Sequence, residues 1–242
     1  MMSDTKKLVK DTLGSLYYAL YKKYKIKGNR ALIYHAFGLN LSHDTYGISI
    51  NMNDFKKHIL FIKNNYKICH INKCFTDELS VSITIDDGYK DSLDAVDYLN
   101  ELKIPFSLYI STDFIGKKNY LNERDIYNIS SIDTCILGSH GSSHKRLGEL
   151  TREQQITELS DSKKELEKIT QSKILSLSYP HGSFNNDTVN IARDLGYEWA
   201  STSIKGFNTK HTHKYKYKRI EIIASDTIDC LTKKIDGYYD YY

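Results

Sequence analysis

Segments with the residue pattern of strands and of helices alternate along most of this chain of 242 residues. Short apolar runs rich in β-branched and aromatic residues indicate strands, and several of the intervening stretches place apolar side chains at helical spacing. Strands joined by a helix run parallel, because the crossover returns the chain to the same edge of the sheet. The alternation therefore predicts an α/β fold built on a parallel sheet.

The number and order of these segments predict one barrel-like domain over residues 30–242. Strands are expected at 31–34, 81–85, 106–110, 134–137, 174–179, 197–203 and 219–223. About seven parallel strands in a chain of this size favour a deformed, TIM-barrel-like (β/α) barrel over an open sheet. The clearest helix begins at Thr151, because Gln154 completes a capping box there.

Residues 1–29 are predicted to form a separate amphipathic helix. Val9, Leu13, Leu16 and Leu20 recur at spacings of three and four, which gives one apolar stripe on a lysine-rich helix. We expect this helix to dock on its own domain, and peripheral contact with an anionic membrane surface is the alternative. The segment lacks the features of an export signal. We therefore expect a cytoplasmic protein, at the inner face of the membrane if the helix binds lipid.

The net charge bears on whether nucleic acid is a partner, and the cysteine spacing bears on whether disulfides form. The net charge of +4 is mild, whereas a nucleic-acid-binding domain has a concentrated basic face, so we expect no nucleic acid. The four cysteines are irregularly spaced and lie in or beside apolar runs. This pattern indicates packed thiols rather than a disulfide framework.

Two neighbouring carboxylates follow the strand predicted at 81–85. Asp86 and Asp87 lie side by side, although adjacent like charges raise the cost of ionising both. Gly88 then allows a sharp turn. A site that uses negative charge explains this pair, and a helix cap with a solvated neighbour is the alternative.

Two histidines, His140 and His144, follow the strand predicted at 134–137. Because the carboxyl ends of parallel barrel strands share one rim, we expect them to meet Asp86 and Asp87 there. Asp87, His140 and His144 offer one oxygen and two imidazole nitrogens to a divalent metal ion and leave room for water. Asp86 is then a candidate base for that water. Exposed imidazoles in a serine-rich turn are the alternative.

Three short motifs, TIDDG at 84–88, HGSSH at 140–144 and SYPHG at 178–182, resemble the first three motifs of the polysaccharide deacetylases. These are the carbohydrate esterases of family four, which share the nodulation-type deacetylase domain, and the similarity extends over about residues 30–225. The resemblance implies a deformed β/α barrel that removes the N-acetyl group from a sugar with the help of one divalent metal ion. Zinc is favoured by the ligand types, with cobalt, nickel or iron as alternatives.

The resemblance also implies roles for individual residues. Asp86 would be the catalytic base for a metal-bound water that attacks the amide carbonyl. The metal ligands would be Asp87, His140 and His144. The backbone N–H of His181 would stabilise the oxyanion. The candidate substrate-binding residues are Tyr179, Pro180, His35, Trp199 and Arg219. For Trp199 core packing is the default interpretation and contact with a sugar at the rim is the alternative. A plain turn is the alternative for Tyr179 and Pro180.

The chain departs from the family pattern in three ways, of which one is His181 at a position where many members have a tyrosine. Many members carry an arginine at the position of Ser178 that orients the catalytic aspartate, and Arg219 is a candidate to supply that charge here. Many members also have a leucine-x-histidine motif near the carboxyl end, whose imidazole protonates the leaving amine. No such motif lies near the carboxyl end of this sequence, so His181 and His35 are candidates for the acid.

The favoured hypothesis is a metal-dependent N-deacetylase whose partner is an N-acetylated carbohydrate of a polysaccharide or glycan precursor. The missing motifs leave open a carbohydrate-binding accessory protein with impaired catalysis. A hydrolase of another carbon–nitrogen amide bond, such as a deformylase, is a further alternative on the same fold.

Overall fold

The computed structural model of the protein describes residues 27–73, 75 and 78–240. The strands are β1 (Gly28–Tyr34), β2 (Lys67–Ile68), β3 (Leu79–Ile85), β4 (Phe106–Ile110), β5 (Cys135–Ser139), β6 (Ser176–Ser178), β7 (Trp199–Ser201) and β8 (Arg219–Glu221). The helices are α1 (Met52–Asn65), α2 (Ser92–Glu101), α3 (Glu123–Ser130), α4 (Arg152–Thr170), α5 (Asn186–Asp194) and α6 (Ile228–Ile235). Of the eight strands, β2 lies outside the seven ranges expected from the sequence.

The strands form one parallel sheet that curls into a nearly closed barrel. Their spatial order is β7-β6-β5-β4-β3-β1-β8, and β2 pairs with β3 outside this path. The two ends of the path meet just before β8, where Tyr217 N donates to Ala200 O at 3.0 Å and Thr202 N donates to Tyr217 O at 2.8 Å. The predicted deformed (β/α) barrel of about seven parallel strands is confirmed.

The helix α4 forms as its sequence predicts. The Thr151 side chain accepts a hydrogen bond from Gln154 N at 3.3 Å, and Gln154 Oε1 accepts one from Thr151 N at 3.0 Å. These reciprocal bonds satisfy N–H groups that have no partner within the helix. Leu159 and Leu166 are fully buried in the main core, so α4 is fixed against the outside of the barrel.

The two faces of the barrel strands differ sharply in polarity. On β3, Val81 and Ile83 point outward into the main core beneath the helices. Ser82 and Thr84 alternate with them and are equally buried, but they point inward, where Ser82 Oγ accepts a hydrogen bond from Asn29 Nδ2 at 2.9 Å. The apolar core therefore lies outside the barrel, and much of the barrel interior is polar.

A small apolar cluster fills one end of the interior. Its buried members are Ala31, Ile71, Trp199 and Tyr217. Trp199 is the first residue of β7, so this cluster lies towards the amino-terminal ends of the strands. The opposite rim, at the carboxyl ends, is left to polar residues.

Some predictions concern other parts of the chain. The amphipathic helix at 1–29 and its membrane contact fall almost wholly outside the described residues, and β1 already begins at Gly28. No helix in the described part of the chain combines the length and hydropathy that a membrane span needs.

The cysteines differ in redox state. Cys135 and Cys230 are free thiols, but Cys69 is disulfide-bonded. The prediction of packed thiols is therefore wrong at Cys69, which lies beside a chain reversal closed by the bond from Lys73 N to His70 O.

Replacing Leu166 by alanine should destabilise the protein, because the fully buried side chain of Leu166 packs α4 onto the barrel. The expected loss in the free energy of unfolding is about 2–5 kcal/mol, measured by urea denaturation. Leu60→Ala on α1 is the matched control, since that side chain is 44% exposed. Equal losses for the two variants would contradict the assigned packing.

Candidate metal centre and active site

The turn after β3 carries two carboxylates in an unusual backbone conformation. Asp87 has φ 73° and Gly88 has φ 80°, and Gly88 N donates to Asp86 O at 3.0 Å. A non-glycine residue at positive φ costs free energy and is often found at functional sites. The tight turn aims the two neighbouring side chains, those of Asp86 and Asp87, at different partners.

Asp87 faces both histidines that follow β5. Its Oδ1 atom lies 3.1 Å from His144 Nε2 and 3.4 Å from His140 Nε2. One ligand atom from each of these three residues lies within 4.8 Å of the other two. The structure therefore brings together the three residues proposed from the sequence as metal ligands.

The donor atoms of this cluster fit a divalent cation. The Nδ1 atom of His140 lies 2.8 Å from Ser178 O, which fixes the ring so that Nε2 presents its lone pair towards Asp87. Asp87 Oδ1 is buried and receives no hydrogen bond from the residues that the structure describes. One carboxylate oxygen and two imidazole nitrogens suit zinc or a related transition metal.

The electrostatics of the cluster also favour positive charge. Burial raises the pKa of Asp87, but His140 and His144 outweigh that effect and hold the pKa well below its usual range. Burial lowers the pKa of His140, but Asp86 and Asp87 outweigh it and raise the pKa. Asp87 and His140 are therefore each shifted towards the charged form, because each stabilises the charge of the other.

Asp86 is held by a buried arginine instead. Arg219 Nη1 donates to Asp86 Oδ1 at 2.8 Å, and Arg219 Nη2 donates to Asp86 Oδ2 at 2.7 Å. Ser178 Oγ donates to Asp86 Oδ2 at 3.0 Å. Burial raises the pKa of Asp86, but the charge of Arg219 outweighs it and the pKa is lowered. Asp86 is thus an ionised carboxylate, and its Oδ2 lies 3.8 Å from His140 Nε2.

Arg219 is itself fully buried and well bonded. Beyond Asp86, it donates to Thr84 Oγ1 at 3.0 Å, Thr202 O at 3.0 Å and Ser178 Oγ at 2.6 Å. Such a set of partners is what a buried charge requires. Arg219 therefore holds Asp86 in place, as its candidate role in orienting the aspartate requires, and it does not line the open cavity.

A cavity of about 590 Å³ opens above this cluster at the carboxyl-terminal rim. The candidate residues that line it are His35, Asp86, Asp87, His140, His144 and His181. Aromatic side chains that also line it are Tyr46, Tyr89, Phe114 and Tyr120. The sequence reasoning missed these four as cavity residues. Tyr46, Phe114 and Tyr120 lie in loops that carry none of the three motifs, and Tyr89 directly follows the TIDDG motif without belonging to it.

The third motif contributes its histidine to the cavity but not its other side chains. His181 has φ 55°, its Nε2 lies 3.2 Å from His144 O, and burial together with His144 lowers its pKa to about 4. Tyr179 is buried and its hydroxyl donates to Tyr215 O at 3.1 Å. Pro180 is buried beside it.

The two remaining candidates lie at opposite ends of the barrel. His35 lines the cavity, with its Nε2 atom 3.9 Å from Glu221 Oε1. Trp199 belongs to the apolar cluster at the amino-terminal end. The structure therefore does not bring Trp199 to the cavity, and core packing, the default interpretation of this residue, describes its position.

Comparison with known proteins identifies the family. Residues 75–200 match the family model described as polysaccharide deacetylase. The chain belongs to the polysaccharide deacetylase family. The matched range, 126 residues long, holds Asp86, Asp87, His140, His144 and His181.

Curated relatives in the family differ in how much of their length is matched. YxkH of Bacillus subtilis (strain 168), which bears the name of a polysaccharide deacetylase, is 30% identical over 146 residues. That alignment covers 60% of this chain and 52% of YxkH, so the chain spans about half of that relative. A poly-β-1,6-N-acetyl-D-glucosamine N-deacetylase of Staphylococcus aureus (strain MRSA252) is 22% identical over 254 residues, covering 90% of this chain and 87% of the relative.

Solved structures share the fold. The deacetylase PplD of Streptococcus pyogenes, in complex with acetate, superposes with a TM-score of 0.74 at 20% identity and covers 87% of this chain and 99% of its own. IcaB from Ammonifex degensii gives a TM-score of 0.74 at 16% identity, with 89% and 98% covered.

Replacing Arg219 by leucine should destabilise the protein strongly, because Asp86 would remain as an unpaired buried charge. The expected loss in the free energy of unfolding is about 3–5 kcal/mol, measured by urea denaturation at neutral pH. Arg193→Leu is the control, since its side chain is 59% exposed. In the double variant Asp86→Asn/Arg219→Leu the loss should be smaller than the sum of the two single losses. If the two single losses in the free energy of unfolding simply add in the double variant, Asp86 and Arg219 do not stabilise each other.

Proposed function

We propose that the protein is a metal-dependent hydrolase that removes the N-acetyl group from an amino sugar of a polysaccharide. The observation that carries the proposal is the convergence of Asp87, His140 and His144 beside an ionised, arginine-held Asp86 at the base of one cavity. Membership of the polysaccharide deacetylase family supports the same reaction class.

The metal ligands would be Asp87, His140 and His144. A divalent ion bound there would act as a Lewis acid towards the amide carbonyl and would lower the pKa of water to about 7. Zinc is proposed, because one oxygen and two nitrogen ligands leave coordination positions open. Cobalt, nickel or iron would fit the same donors.

Asp86 would accept the proton of the attacking water. Arg219 keeps it ionised, and Ser178 together with Arg219 fixes the direction of its oxygens. The backbone N–H of His181 would stabilise the negative charge that develops on the carbonyl oxygen. Hydrolysis of the amide then yields acetate and a free amino group on the sugar.

The proposed substrate is a polymer of N-acetylated amino sugars. One relative is named for poly-β-1,6-N-acetyl-D-glucosamine, and the cavity has a wall of aromatic rings suited to the apolar faces of pyranoses. Phe114 and Tyr120 stack with ring centroids 4.8 Å apart. Tyr46 is 77% exposed at the same cavity. Its loop is held by Asp44, whose Oδ1 accepts from Tyr46 N at 3.0 Å.

Replacing Asp86 by asparagine should abolish most turnover while the metal ligands stay intact. Acetate release from N-acetylglucosamine oligosaccharides should fall about 10²- to 10⁴-fold, the range for losing a general base. The metal content, measured by elemental analysis after loading with Zn²⁺, should match that of the original protein. Both proteins are compared at a temperature where circular dichroism shows them folded.

Asp97→Asn on α2 is the matched control, because this exposed carboxylate lies outside the cavity. Full activity of the Asp86 variant would contradict the proposed base. Metal and oligosaccharide binding without acetate release by the original protein would favour the accessory-protein alternative. Release of formate or another acid in place of acetate would favour a different amide bond.

Replacing Tyr46 by alanine should weaken the use of polymeric substrate. Loss of about 50 Å² of apolar contact is worth ~1.25 kcal/mol, so the KM for a pentasaccharide should rise about eightfold. The KM for monomeric N-acetylglucosamine should stay unchanged if Tyr46 binds a neighbouring sugar. Tyr127→Ala, which alters an exposed tyrosine on α3 outside the cavity, should change neither value. Equal KM increases for both substrates would contradict a neighbouring-sugar site.

A further inference from the structure

Two side chains of α4 contact the segment that carries both metal-binding histidines. Glu158 and Ser162 are four residues apart on one face of the helix and are both buried. The segment begins with Ser139 at the end of β5 and runs to His144. This contact lies behind the histidines, on the outer side of the barrel.

Glu158 accepts hydrogen bonds from two consecutive backbone N–H groups of this segment. Its Oε2 atom accepts from Ser142 N at 3.1 Å and from Ser143 N at 2.8 Å. Its Oε1 atom accepts from the hydroxyl of Ser143. The backbone oxygen of Glu158 also accepts from Ser142 Oγ at 3.1 Å. The carboxylate therefore fixes the middle of the segment between His140 and His144.

Ser162 fixes the start of the same segment. Its Oγ atom lies 2.7 Å from Ser139 Oγ, and Ser139 Oγ accepts from Gly141 N at 3.1 Å. With Glu158, this gives α4 two points of attachment on either side of Gly141. The attachment matters because His144 has φ 58°. A non-glycine residue keeps such a backbone angle only when its surroundings hold it.

The hold of Glu158 on this segment does not depend on a salt bridge. Within the described part of the chain no ion pair joins a lysine or arginine to Glu158, although the residue is only 8% exposed. Its carboxylate is satisfied instead by the N–H groups of Ser142 and Ser143 and by the hydroxyl of Ser143.

We propose that Glu158 is a positioning residue for the metal centre, which holds the turn between His140 and His144 and so sets the affinity of the site for a divalent ion. The proposal rests on the metal site of the proposed function. Residues that orient ligands typically change metal affinity about 10- to 100-fold when they are removed. None of the three sequence motifs includes Glu158, which lies 14 residues after His144.

The test is the Zn²⁺ affinity of the metal-free protein, measured by competition with a chromophoric chelator. Glu158→Ala should bind Zn²⁺ about 10- to 100-fold more weakly than the original protein. Glu158→Gln should lie between the two, because one amide oxygen can still accept the bonds from Ser142 N and Ser143 N. Glu165→Ala is the matched control on the same helix, since that side chain is 38% exposed. Its affinity should equal that of the original protein.

Thermal unfolding in the presence of a chelator shows whether a variant has lost stability in general, as distinct from affinity for Zn²⁺. If Glu158→Ala does not fold, Glu158→Gln replaces it, and Zn²⁺ binding at least threefold weaker than the original supports the proposal. Affinities within threefold of the original for every folded Glu158 variant would overturn it while leaving the proposed function intact. Failure of the original protein to bind any divalent ion would overturn the proposed function as well.

Discussion

The buried ion pair between Arg219 and Asp86 is the interaction on which the rest of the site depends. Both side chains are almost fully buried, and a charge in such a place is tolerated only with a matched partner and further hydrogen bonds. Arg219 donates these further hydrogen bonds to Thr84, Ser178 and Thr202, which lie on or directly after β3, β6 and β7. The polar barrel interior is therefore what permits an ionised carboxylate at the rim, and the apolar core on the outer face of the strands supplies the stabilising burial instead.

Much of the fold and of the metal cluster could be predicted from the sequence, because both depend on local patterns. Strand and helix periodicity predicts the parallel barrel, and residues that follow strand ends meet at one rim, which brings Asp87, His140 and His144 together. Trp199 was placed with the rim candidates although it begins its strand rather than ending it. Its position in β7 could have indicated the opposite end of the barrel.

Other parts of the site depend on how distant segments pack. The pairing of Arg219 with Asp86 requires β8 to lie beside β1 and the barrel to close, which no local pattern specifies. The side chain of Glu158 reaches Ser142 and Ser143 only because α4 turns the face that carries Glu158 towards the segment after β5. Tyr46 reaches the cavity through a loop shaped by Asp44. The pairing of Arg219 with Asp86 spans 133 residues and the contact of Glu158 with Ser143 spans 15, and neither belongs to a motif. Arg219 was therefore only a candidate, and nothing in the sequence singled out Glu158 or Tyr46.

The arrangement explains how two adjacent carboxylates can both be ionised. Side by side in a buried place, Asp86 and Asp87 would raise each other's pKa, yet the pKa of each is lowered. The tight turn at Asp87 and Gly88 directs one carboxylate to a guanidinium inside the barrel and the other to two imidazoles at the rim. Asp86 thus faces a guanidinium and Asp87 faces two imidazoles. This difference in surroundings is what allows the two proposed roles, a base at Asp86 and a metal ligand at Asp87.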